Sequence, residues 1–441
     1  MNLAGSTFTL KTSSSNPTHT WTCNWFYGFF FLILQYHWKN IVVMIKSLSL
    51  KHWKSFGSAQ LWVDPLTFII GTNAAGKSNI VDALYFLSVL PTGVRLSDIV
   101  LRGGLEGVIE RQQNYATLSI SLILGTEEFT YDISFRLEGK ELLLRKENLS
   151  IKYPDGQDKV LYSTDKAERG DNQITARFLK EKRGPRKGIG LKRDVAILAQ
   201  IPNLDVLKEI KDKAETVANV LKAIFVLDPK PEKMRDYTPL ADKLASDGSN
   251  IAGMIAGLPD QKKREFEETL TNYVRPLPEK DLDMIWAEPV GRFGTDAMLY
   301  CAEEWVDGKK SEFDARSMSD GTLRFIAIVA ALLSARRGAT IVIEEVDNGL
   351  HPSRAGELVV ALKQLSESKE IDIICTTHNP VLIDALGPDM VPFISYVSRS
   401  EVSGHSEIHL LEDAPQLLKL LANYTPGNIM TKGFLSNATP K

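Results

Sequence analysis

Cysteine is scarce in this sequence. Three cysteines occur among 441 residues, and they stand far apart at Cys23, Cys301 and Cys375. An odd number at such spacing forms neither a disulfide framework nor a set of metal ligands. The sequence therefore excludes the disulfide-rich secreted class and favours a protein of the reducing cytoplasm.

An excess of charge of one sign is also lacking. Lysine and arginine number 52, aspartate and glutamate number 55, and the formal net charge is −3. This balance gives no overall attraction to nucleic acid or to an acidic membrane, so such contacts would need a local patch. One basic cluster stands out, and its members are Lys180, Lys182, Arg183, Arg186, Lys187, Lys192 and Arg193.

The basic cluster has two interpretations. Lysine and arginine side chains that neutralise DNA phosphates add salt-dependent affinity, which makes DNA a candidate partner through Lys180–Arg193. A run of charge in a polar, glycine-bearing stretch is also typical of a solvated loop. We expect residues 154–195 to form a loop or flexible arm, and the sequence leaves both interpretations open.

Apolar runs long enough to cross a membrane are missing. The run Trp25–Leu34 is well short of the roughly 20 residues that a spanning helix needs, and polar residues follow it. A membrane partner is therefore disfavoured, although a short anchoring segment stays an alternative. We predict that residues 1–43 form an N-terminal extension, poorly ordered or translated from an upstream start codon. The folded domain is then expected to begin at Met44.

A glycine-rich loop follows the short apolar run Leu66–Ile70, and a stretch with helical spacing comes after it. Strand, glycine loop and helix are the setting in which the pattern G-x-x-x-x-G-K-[ST] binds phosphate. We therefore predict that this segment binds ATP. The residues concerned are Gly71, Thr72, Asn73, Ala74, Ala75, Gly76, Lys77, Ser78 and Asn79.

The residue types of this loop match the chemistry of a triphosphate. Gly71 and Gly76 let backbone N–H groups face the phosphates at the positive end of the following helix. Lys77 is expected to reach the β- and γ-phosphates, and the Ser78 hydroxyl is expected to bind Mg²⁺. The sequence thus predicts ATP and Mg²⁺ as ligands.

Two adjacent acids end a second apolar run, at Glu344 and Glu345 after 340–343. The carboxyl ends of buried parallel strands are where such sheets place ligands. We predict that Glu344 holds the metal, directly or through water, and that Glu345 orients the attacking water. A strand ending in a solvated acidic turn is the alternative.

Two further segments are candidates. Ser319, Asp320 and Gly321 precede the helical stretch Leu323–Arg336, where they can cap the helix and also form an anion site. His378 follows the predicted strand Ile371–Thr376, and from the local sequence alone it is as often structural as a contact for the γ-phosphate.

In this order, the motifs resemble an ABC-type ATPase head of the RecF/SMC/OLD-like branch, often labelled "AAA family ATPase". The resemblance covers roughly residues 44–411. It rests on Lys54–Phe56, the glycine loop with Asn79, Asp82–Ala83, Met318–Thr322, Ile341–Glu345, Asn348–Pro352 and Thr377–His378.

The resemblance implies roles beyond those of the single motifs. Ser319 and Gly321 would bind the γ-phosphate held by a second copy of the chain, head to tail. Glu345 would be the catalytic glutamate and His378 the switch histidine. Glu344 stands where aspartate is more usual, and Val346 replaces a common proline.

The position of the glutamine that links the two lobes in this family is left open. Gln200 is one candidate, although it is equally compatible with an ordinary helix residue. Gln112 and Gln113 are its rivals.

The predicted fold class is α/β, a P-loop NTPase with an ABC-type head, a mixed sheet, an antiparallel β subdomain and a helical insertion. Residues 44–153 would form the N-terminal ATPase lobe, 154–300 a basic loop and a mainly helical insertion, and 301–441 the C-terminal lobe. Sustained heptads are absent from 202–300, which excludes a long coiled-coil arm. The residues after His378 are too few for a Toprim domain.

These features predict an ATP-hydrolysing switch protein that assembles as a dimer or larger oligomer. It would control a separate effector, such as a nuclease or toxin, or act on DNA. The resemblance to the soluble branch implies a role in bacterial anti-phage defence or genome maintenance, by analogy with its members. The alternative is a nucleotide-gated scaffold with little turnover that sequesters a toxin or nuclease. The ATPase subunit of a membrane transporter fits less well, because the inserted sheet and the loop Asn348–Pro352 resemble the soluble branch.

Overall fold

The computed structural model describes residues 43–180, 188–277, 282–304, 310–414, 420–421 and 423–432. The predicted extension at 1–43 lies outside these residues except for Val43, which begins the first strand. All elements below belong to one unit, Val42–Lys441. Within the described ranges, every helix is too short or too polar to cross a membrane.

One large sheet runs through the unit. Its strands, in chain order, are β1 Val43–Trp53, β2 Phe56–Trp62, β3 Leu66–Gly71, β4 Ala116–Leu124, β5 Glu127–Glu138, β6 Glu141–Lys152, β7 Asp158–Thr164, β8 Gln173–Phe178, β9 Gly188–Lys192, β10 Ile224–Leu227, β15 Thr340–Ile343, β16 Asp372–Thr377, β17 Ile394–Arg399 and β18 Ser406–Leu410. A second sheet contains β11 Thr238–Pro239, β12 Leu282–Val290, β13 Asp296–Glu304 and β14 Lys310–Asp314.

Helices pack in both hydrophobic cores of the unit. They are α1 Lys77–Val89, α2 Ile197–Gln200, α3 Lys208–Lys222, α4 Ile251–Ala256, α5 Asp260–Val274, α6 Asp320–Ser334, α7 Ala355–Lys369, α8 Pro380–Leu386 and α9 Pro426–Thr431. Helix α1 packs one buried face against the sheet, where Phe86 contacts Trp53 and Phe135. This contact places the helix that starts at Lys77 between the two halves of the main sheet.

The centre of the large sheet is parallel, in the order β10-β15-β16-β3-β17. Every residue of β3, β15 and β16 is buried, as is typical of parallel strands covered on both faces. Thr377 pairs with Ile70, and Ile343 pairs with Cys375. The carboxyl ends of three strands therefore meet at one edge, as the sequence predicts.

The other half of the sheet is antiparallel, from β1 through β4, β5 and β6 to β9. Burial alternates strictly along β4, so one face is covered and the other is partly open. The antiparallel sheet predicted for residues 115–153 is confirmed. The loop predicted for 154–195 is wrong, because β7, β8 and β9 extend the sheet by antiparallel pairing.

The predicted helical insertion is only partly correct. Helices α3 and α5 lie within it, but residues 282–304 form strands. The proposed boundary at residue 300 falls inside β13, which pairs with both β12 and β14. Long-range pairing places these residues in the second sheet, and a local helical pattern does not contain that information.

A buried carboxyl group at the first residue of β16 makes stability depend on pH. Asp372 accepts the N–H of Ile45 at 3.2 Å, and burial raises its pKa to about 7. An aspartate in the unfolded chain has a pKa of about 3.9. Between that pH and about 7, the folded protein therefore keeps a proton on Asp372 that the unfolded chain has lost. The free energy of unfolding should therefore fall as the pH rises from about 4 to about 7.

Asp372→Asn removes this proton linkage while keeping an oxygen for Ile45. We expect the variant to unfold at a higher denaturant concentration than the wild type at pH 8, with a smaller dependence between pH 4 and pH 7. Chemical denaturation across this range measures the effect. Asp389→Asn, at an exposed position, is the matched control. Parallel pH curves for Asp372→Asn and the wild type would contradict the assignment.

Candidate nucleotide-binding site

The glycine loop connects β3 to α1 and closes around the ammonium group of Lys77. Lys77 Nζ donates to the carbonyl oxygens of Gly71 at 2.7 Å and Thr72 at 2.9 Å. Burial lowers the pKa of Lys77, and the nearby Glu345 and Asp347 act against that shift. The ammonium thus has neutral acceptors within its own loop and can exchange them for phosphate oxygens.

Gly76 shapes the start of α1. Its φ is +120°, and a β-carbon there would lie 2.6 Å from Ser406 Oγ. The Ser406 hydroxyl donates its one proton to the carbonyl oxygen of Ala75 at 2.5 Å, and its oxygen accepts from the Ser55 hydroxyl at 2.7 Å. Asn79 Nδ2 also donates to Ser55 Oγ, at 2.8 Å. Ser406, Ser55 and Asn79 therefore form one hydrogen-bonded group that holds the glycine loop at Ala75.

Ser78 and Glu344 meet at the shared edge of the strands. The Ser78 hydroxyl donates to Glu344 Oε1 at 2.5 Å. Glu344 follows β15 directly, and its side chain is largely buried. A hydroxyl and a carboxylate oxygen are donors that Mg²⁺ prefers, so this pair fits the ion.

Arg102 lies at the same place, and sequence reasoning missed it. Its guanidinium pairs with Glu344 at 2.6 Å and with Asp82 at 2.8 Å. Lys54 pairs with the other oxygen of Asp82 at 2.5 Å. These buried acids thus have cations beside them, as buried carboxylates require. Arg102 precedes two glycines in an irregular loop, which gives the sequence no periodic signal.

Arg102→Ala should change the response of the protein to Mg²⁺. Without the guanidinium, Glu344 and Asp82 keep less positive charge nearby, so the divalent ion should bind the nucleotide-free protein more tightly. We expect Mg²⁺ to raise the Tm of the variant more than that of the wild type, from a lower starting value. Thermal unfolding across a Mg²⁺ titration tests this, with Arg95→Ala as the exposed control. An equal response in both proteins would contradict it.

Glu345 is held in an uncommon backbone conformation. Its φ is +45°, which a residue with a side chain rarely adopts outside functional sites. Its N–H donates to Thr376 Oγ1 at 2.8 Å, and its carbonyl accepts from Arg324 Nη2 at 2.9 Å. Thr376 and Arg324 therefore fix the backbone of Glu345, while Asn348 Nδ2 donates to its carboxylate at 3.5 Å.

Arg324 connects the start of α6 to this turn. The buried guanidinium also donates to the carbonyl of Glu344 at 2.9 Å and to that of Pro229 at 2.8 Å. The helix that begins beside Ser319 is thereby tied to the turn that carries both acids. Sequence reasoning did not single out Arg324, although an arginine within an apolar helix was an available signal.

His378 follows β16 at the edge where the glycine loop begins. Thr377 pairs with Ile70, the residue before Gly71, and His378 is exposed. The Thr377 hydroxyl accepts the N–H of Asn379 at 3.0 Å, which turns the chain away from the strand. The structure thus places His378 beside the predicted phosphate site.

Ser319, Asp320 and Gly321 begin α6 as predicted. Ser319 is exposed and its hydroxyl caps the helix by accepting the N–H of Thr322 at 3.1 Å. Asp320 pairs with Arg235 at 2.8 Å. A β-carbon on Gly321 would lie 2.7 Å from the carbonyl oxygen of Gly349. This segment therefore packs closely against the loop Asn348–Pro352.

The candidate lobe-linking glutamines do not converge on this edge. Gln200 Nε2 donates to the carbonyl oxygens of Lys192 at 3.1 Å and Val195 at 3.0 Å, so its side chain closes its own loop. Gln112 and Gln113 are exposed after the short segment that pairs with Trp53. The position of this glutamine stays open.

The structure leaves fewer residues of the basic cluster available to bind DNA. Arg193 is buried, pairs with Glu138 at 2.6 Å and donates to the carbonyl of Leu144, so it is unsuited to bind DNA. Lys180 and Lys192 are exposed. The remaining four basic residues lie at 182–187, outside the described residues. The DNA contact stays a prediction for the rest of the cluster.

Parts of the chain are similar to known proteins. The chain is 25% identical over 251 residues to the DNA replication and repair protein RecF of Streptococcus gordonii, a match that covers 55% of this chain and 64% of that protein. The chain therefore spans less than two thirds of the RecF protein that it matches.

Among solved structures, the Smc head domain with an extended coiled coil, bound to the C-terminal domain of ScpA from Pyrococcus furiosus, is 16% identical. That match covers 86% of this chain and all of the other, with a TM-score of 0.47. The SMC head domain of Thermotoga maritima is 15% identical, with 83% and 98% coverage and a TM-score of 0.39.

Residues 66–384 match the family described as "AAA domain, putative AbiEii toxin, Type IV TA system". This match spans the glycine loop, the helix α6 and the strands β15 and β16, which together form the site. The resemblance to an ABC-type P-loop ATPase of the RecF/SMC-like branch is confirmed. The chain belongs to this family of AAA-domain proteins.

Proposed function

We propose that this protein binds and hydrolyses ATP with Mg²⁺, and that nucleotide-dependent assembly of its copies switches a partner. The observation that carries the proposal is the contact of Ser78 with Glu344, beside the loop that encloses Lys77. It joins a phosphate-binding loop to a metal-binding acid across the carboxyl ends of two strands. Family membership supports the same reading.

Each residue of the site has a separate role in the proposed hydrolysis of ATP. The loop N–H groups and Lys77 bind the β- and γ-phosphates at the start of α1. Ser78 and Glu344 hold Mg²⁺, which neutralises charge on the phosphate oxygens when bound. Glu345 accepts a hydrogen bond from the attacking water and orients it. His378, at the same edge, contacts the γ-phosphate.

A second copy of the chain completes the site in this proposal. Ser319 is exposed at the start of a 15-residue helix, where backbone N–H groups attract an anion. Gly321 is buried and lets the helix pack closely on the carbonyl of Gly349, which fixes the helix start. Arg324 ties this helix to the turn that carries Glu345. Binding of the partner's γ-phosphate at Ser319 is thereby coupled to the position of Glu345 in the same chain.

The switch is proposed to control an effector protein such as a nuclease or toxin, or to act on DNA, in the cytoplasm. The description of the family names a toxin and a toxin–antitoxin system, which supports anti-phage defence. The name of the related RecF protein supports genome maintenance. The described residues contain no group of three or more histidine, cysteine, aspartate or glutamate side chains that could hold a metal ion, and we assign the effector chemistry to a partner.

ATP turnover as a function of protein concentration tests this proposal. We expect the rate per chain to rise with concentration and then to saturate, because hydrolysis needs two copies. Sedimentation should show a larger species with Mg²⁺-ATP than without nucleotide. Negligible turnover at every concentration, together with ATP-dependent assembly, would favour the nucleotide-gated scaffold instead.

A further inference from the structure

The second sheet has one face packed against helices and one face that is partly exposed, with Trp286 and Tyr300 half-buried. Helices α4 and α5 lie against β12 and β13 through the buried residues Ile285 and Ala287. The register places Trp286 opposite Tyr300 and Tyr300 opposite Asp314, so these three side chains form one row on the other face. Met284, Ala302 and Glu312 form the next row in the same way.

This face carries aromatic and sulfur-containing side chains at its surface. Trp286 stacks on Tyr300 with ring centroids 5.7 Å apart and an angle of 20°. Tyr237 is 52% exposed and Met284 is 42% exposed. Tryptophan, tyrosine, methionine and arginine are the residue types enriched where proteins bind each other. We name the surface formed by Tyr237, Met284, Trp286, Glu288, Tyr300, Glu312, Asp314 and Arg316 the aromatic–acidic face.

The charged side chains of this face indicate which kind of partner it binds. Glu288 and Glu312 are exposed, and Glu288 Oε1 accepts the indole N–H of Trp286 at 2.8 Å. Two basic residues lie near these acids: Lys310, two residues before Glu312 on β14, pairs with Asp283 at 2.6 Å, and the other is Arg316. It is bonded to Asp314 and lies over the ring of Tyr237 at 5.8 Å. Arg316 thus shows, within the chain, how a carboxylate and an aromatic ring hold a cation here.

We propose that the aromatic–acidic face docks a segment of a partner protein in which lysine or arginine side chains alternate with apolar ones. The cations would lie over Trp286 and Tyr300 and against Glu288 and Glu312, in the manner of Arg316 over Tyr237. Apolar neighbours would cover Met284. The excess of carboxylates disfavours nucleic acid, whose phosphates they repel.

The aromatic–acidic face adjoins the segment that leads into Ser319, so a docked partner would contact that segment. Arg316 lies two residues before Met318, and Arg235 donates to the carbonyl of Met318 at 2.7 Å while pairing with Asp320. A docked segment therefore contacts the chain that leads directly into Ser319. The inference rests on the partner control within the proposed function, and it does not require ATP hydrolysis.

Two synthetic peptides test the docking surface on the full chain. One repeats Arg-Leu-Lys-Phe, and the other has glutamate in place of each arginine and lysine. We expect the basic peptide alone to bind, and binding to weaken at least about tenfold in Trp286→Ala/Tyr300→Ala and in Glu288→Gln/Glu312→Gln. The controls are Trp62→Ala, an exposed tryptophan of the large sheet, and Glu215→Gln, an exposed acid of α3. Both should bind like the wild type.

Several results would overturn the proposal. Equal weakening in the control variants would show that the peptide binds the protein through general charge. Binding of an oligothymidine that is lost in Trp286→Ala/Tyr300→Ala would assign the face to nucleic acid. A wild-type dimer that becomes monomeric in that variant would assign it to a second copy of the chain. ATP turnover of each variant, measured in parallel, separates these outcomes from a failure of the ATPase proposal.

Discussion

Replacing Glu345 with glutamine should lower the kcat for ATP hydrolysis by about 10²- to 10⁴-fold, the usual contribution of a positioned acid or base. Glutamine keeps the size of the side chain and lacks the carboxylate that orients water. The backbone of Glu345 is fixed by Thr376 and Arg324, so the turn should keep its conformation. We therefore expect ATP affinity to change by less than about threefold.

The same variant should accumulate as an ATP-bound assembly, because binding continues while hydrolysis stops. Size-exclusion chromatography with Mg²⁺-ATP, followed by quantification of bound nucleotide, measures this. Glu367→Gln, at an exposed position of α7, is the control and should behave like the wild type. Wild-type turnover in Glu345→Gln, or failure to retain ATP, would show that another residue orients the water.

The second large effect is expected for Lys77→Ala. The buried ammonium is the cation enclosed by the glycine loop, and hydrogen bonds to charged groups contribute about 1.5–3 kcal/mol each. Loss of such bonds to two phosphates should weaken Mg²⁺-ATP binding by at least about 100-fold. Turnover should fall with it. Isothermal titration of the nucleotide-free protein measures the change in Kd.

A matched control separates charge from folding in this experiment. Lys222→Ala removes an exposed lysine at the end of α3 and should leave ATP binding unchanged. The Tm of Lys77→Ala reports whether the loop keeps its shape without the ammonium. If a folded Lys77→Ala protein binds ATP within about threefold of the wild type, the loop is not the triphosphate site.

The sequence was sufficient where local patterns carry the information. The glycine loop could be predicted because a short apolar run, a glycine-rich turn and a stretch with helical spacing follow each other within about 25 residues. The pairing of Ser78 with Glu344 was also predictable. Parallel strands ending at one edge bring their following residues together, even when they are 266 positions apart.

Long-range contacts explain what the sequence did not reveal. Strands β7, β8 and β9 are short, and their pairing with β6 and with each other stabilises them more than their local pattern does. Arg102 comes from an irregular loop, so no periodicity connects it to Glu344. Arg193 is basic in sequence but buried, because Glu138 and two carbonyl groups bind its guanidinium.

The proposed composite site has two halves: one copy of the chain supplies the buried Lys77, and the other copy supplies the exposed Ser319. A variant without Lys77 has a defective loop and an intact Ser319 segment. A variant such as Ser319→Arg has the opposite defect, since a bulky side chain at the helix start blocks the approach of phosphate. Each variant alone should hydrolyse almost no ATP.

Mixing these two inactive variants in equal amounts tests the account most directly. If two copies form each site head to tail, half of the dimers contain one intact site, and turnover should recover to about a quarter of the wild-type rate per chain. The recovery should disappear when Glu345→Gln is added to the variant that supplies the intact loop. A mixture that stays as inactive as its two components would contradict the composite site.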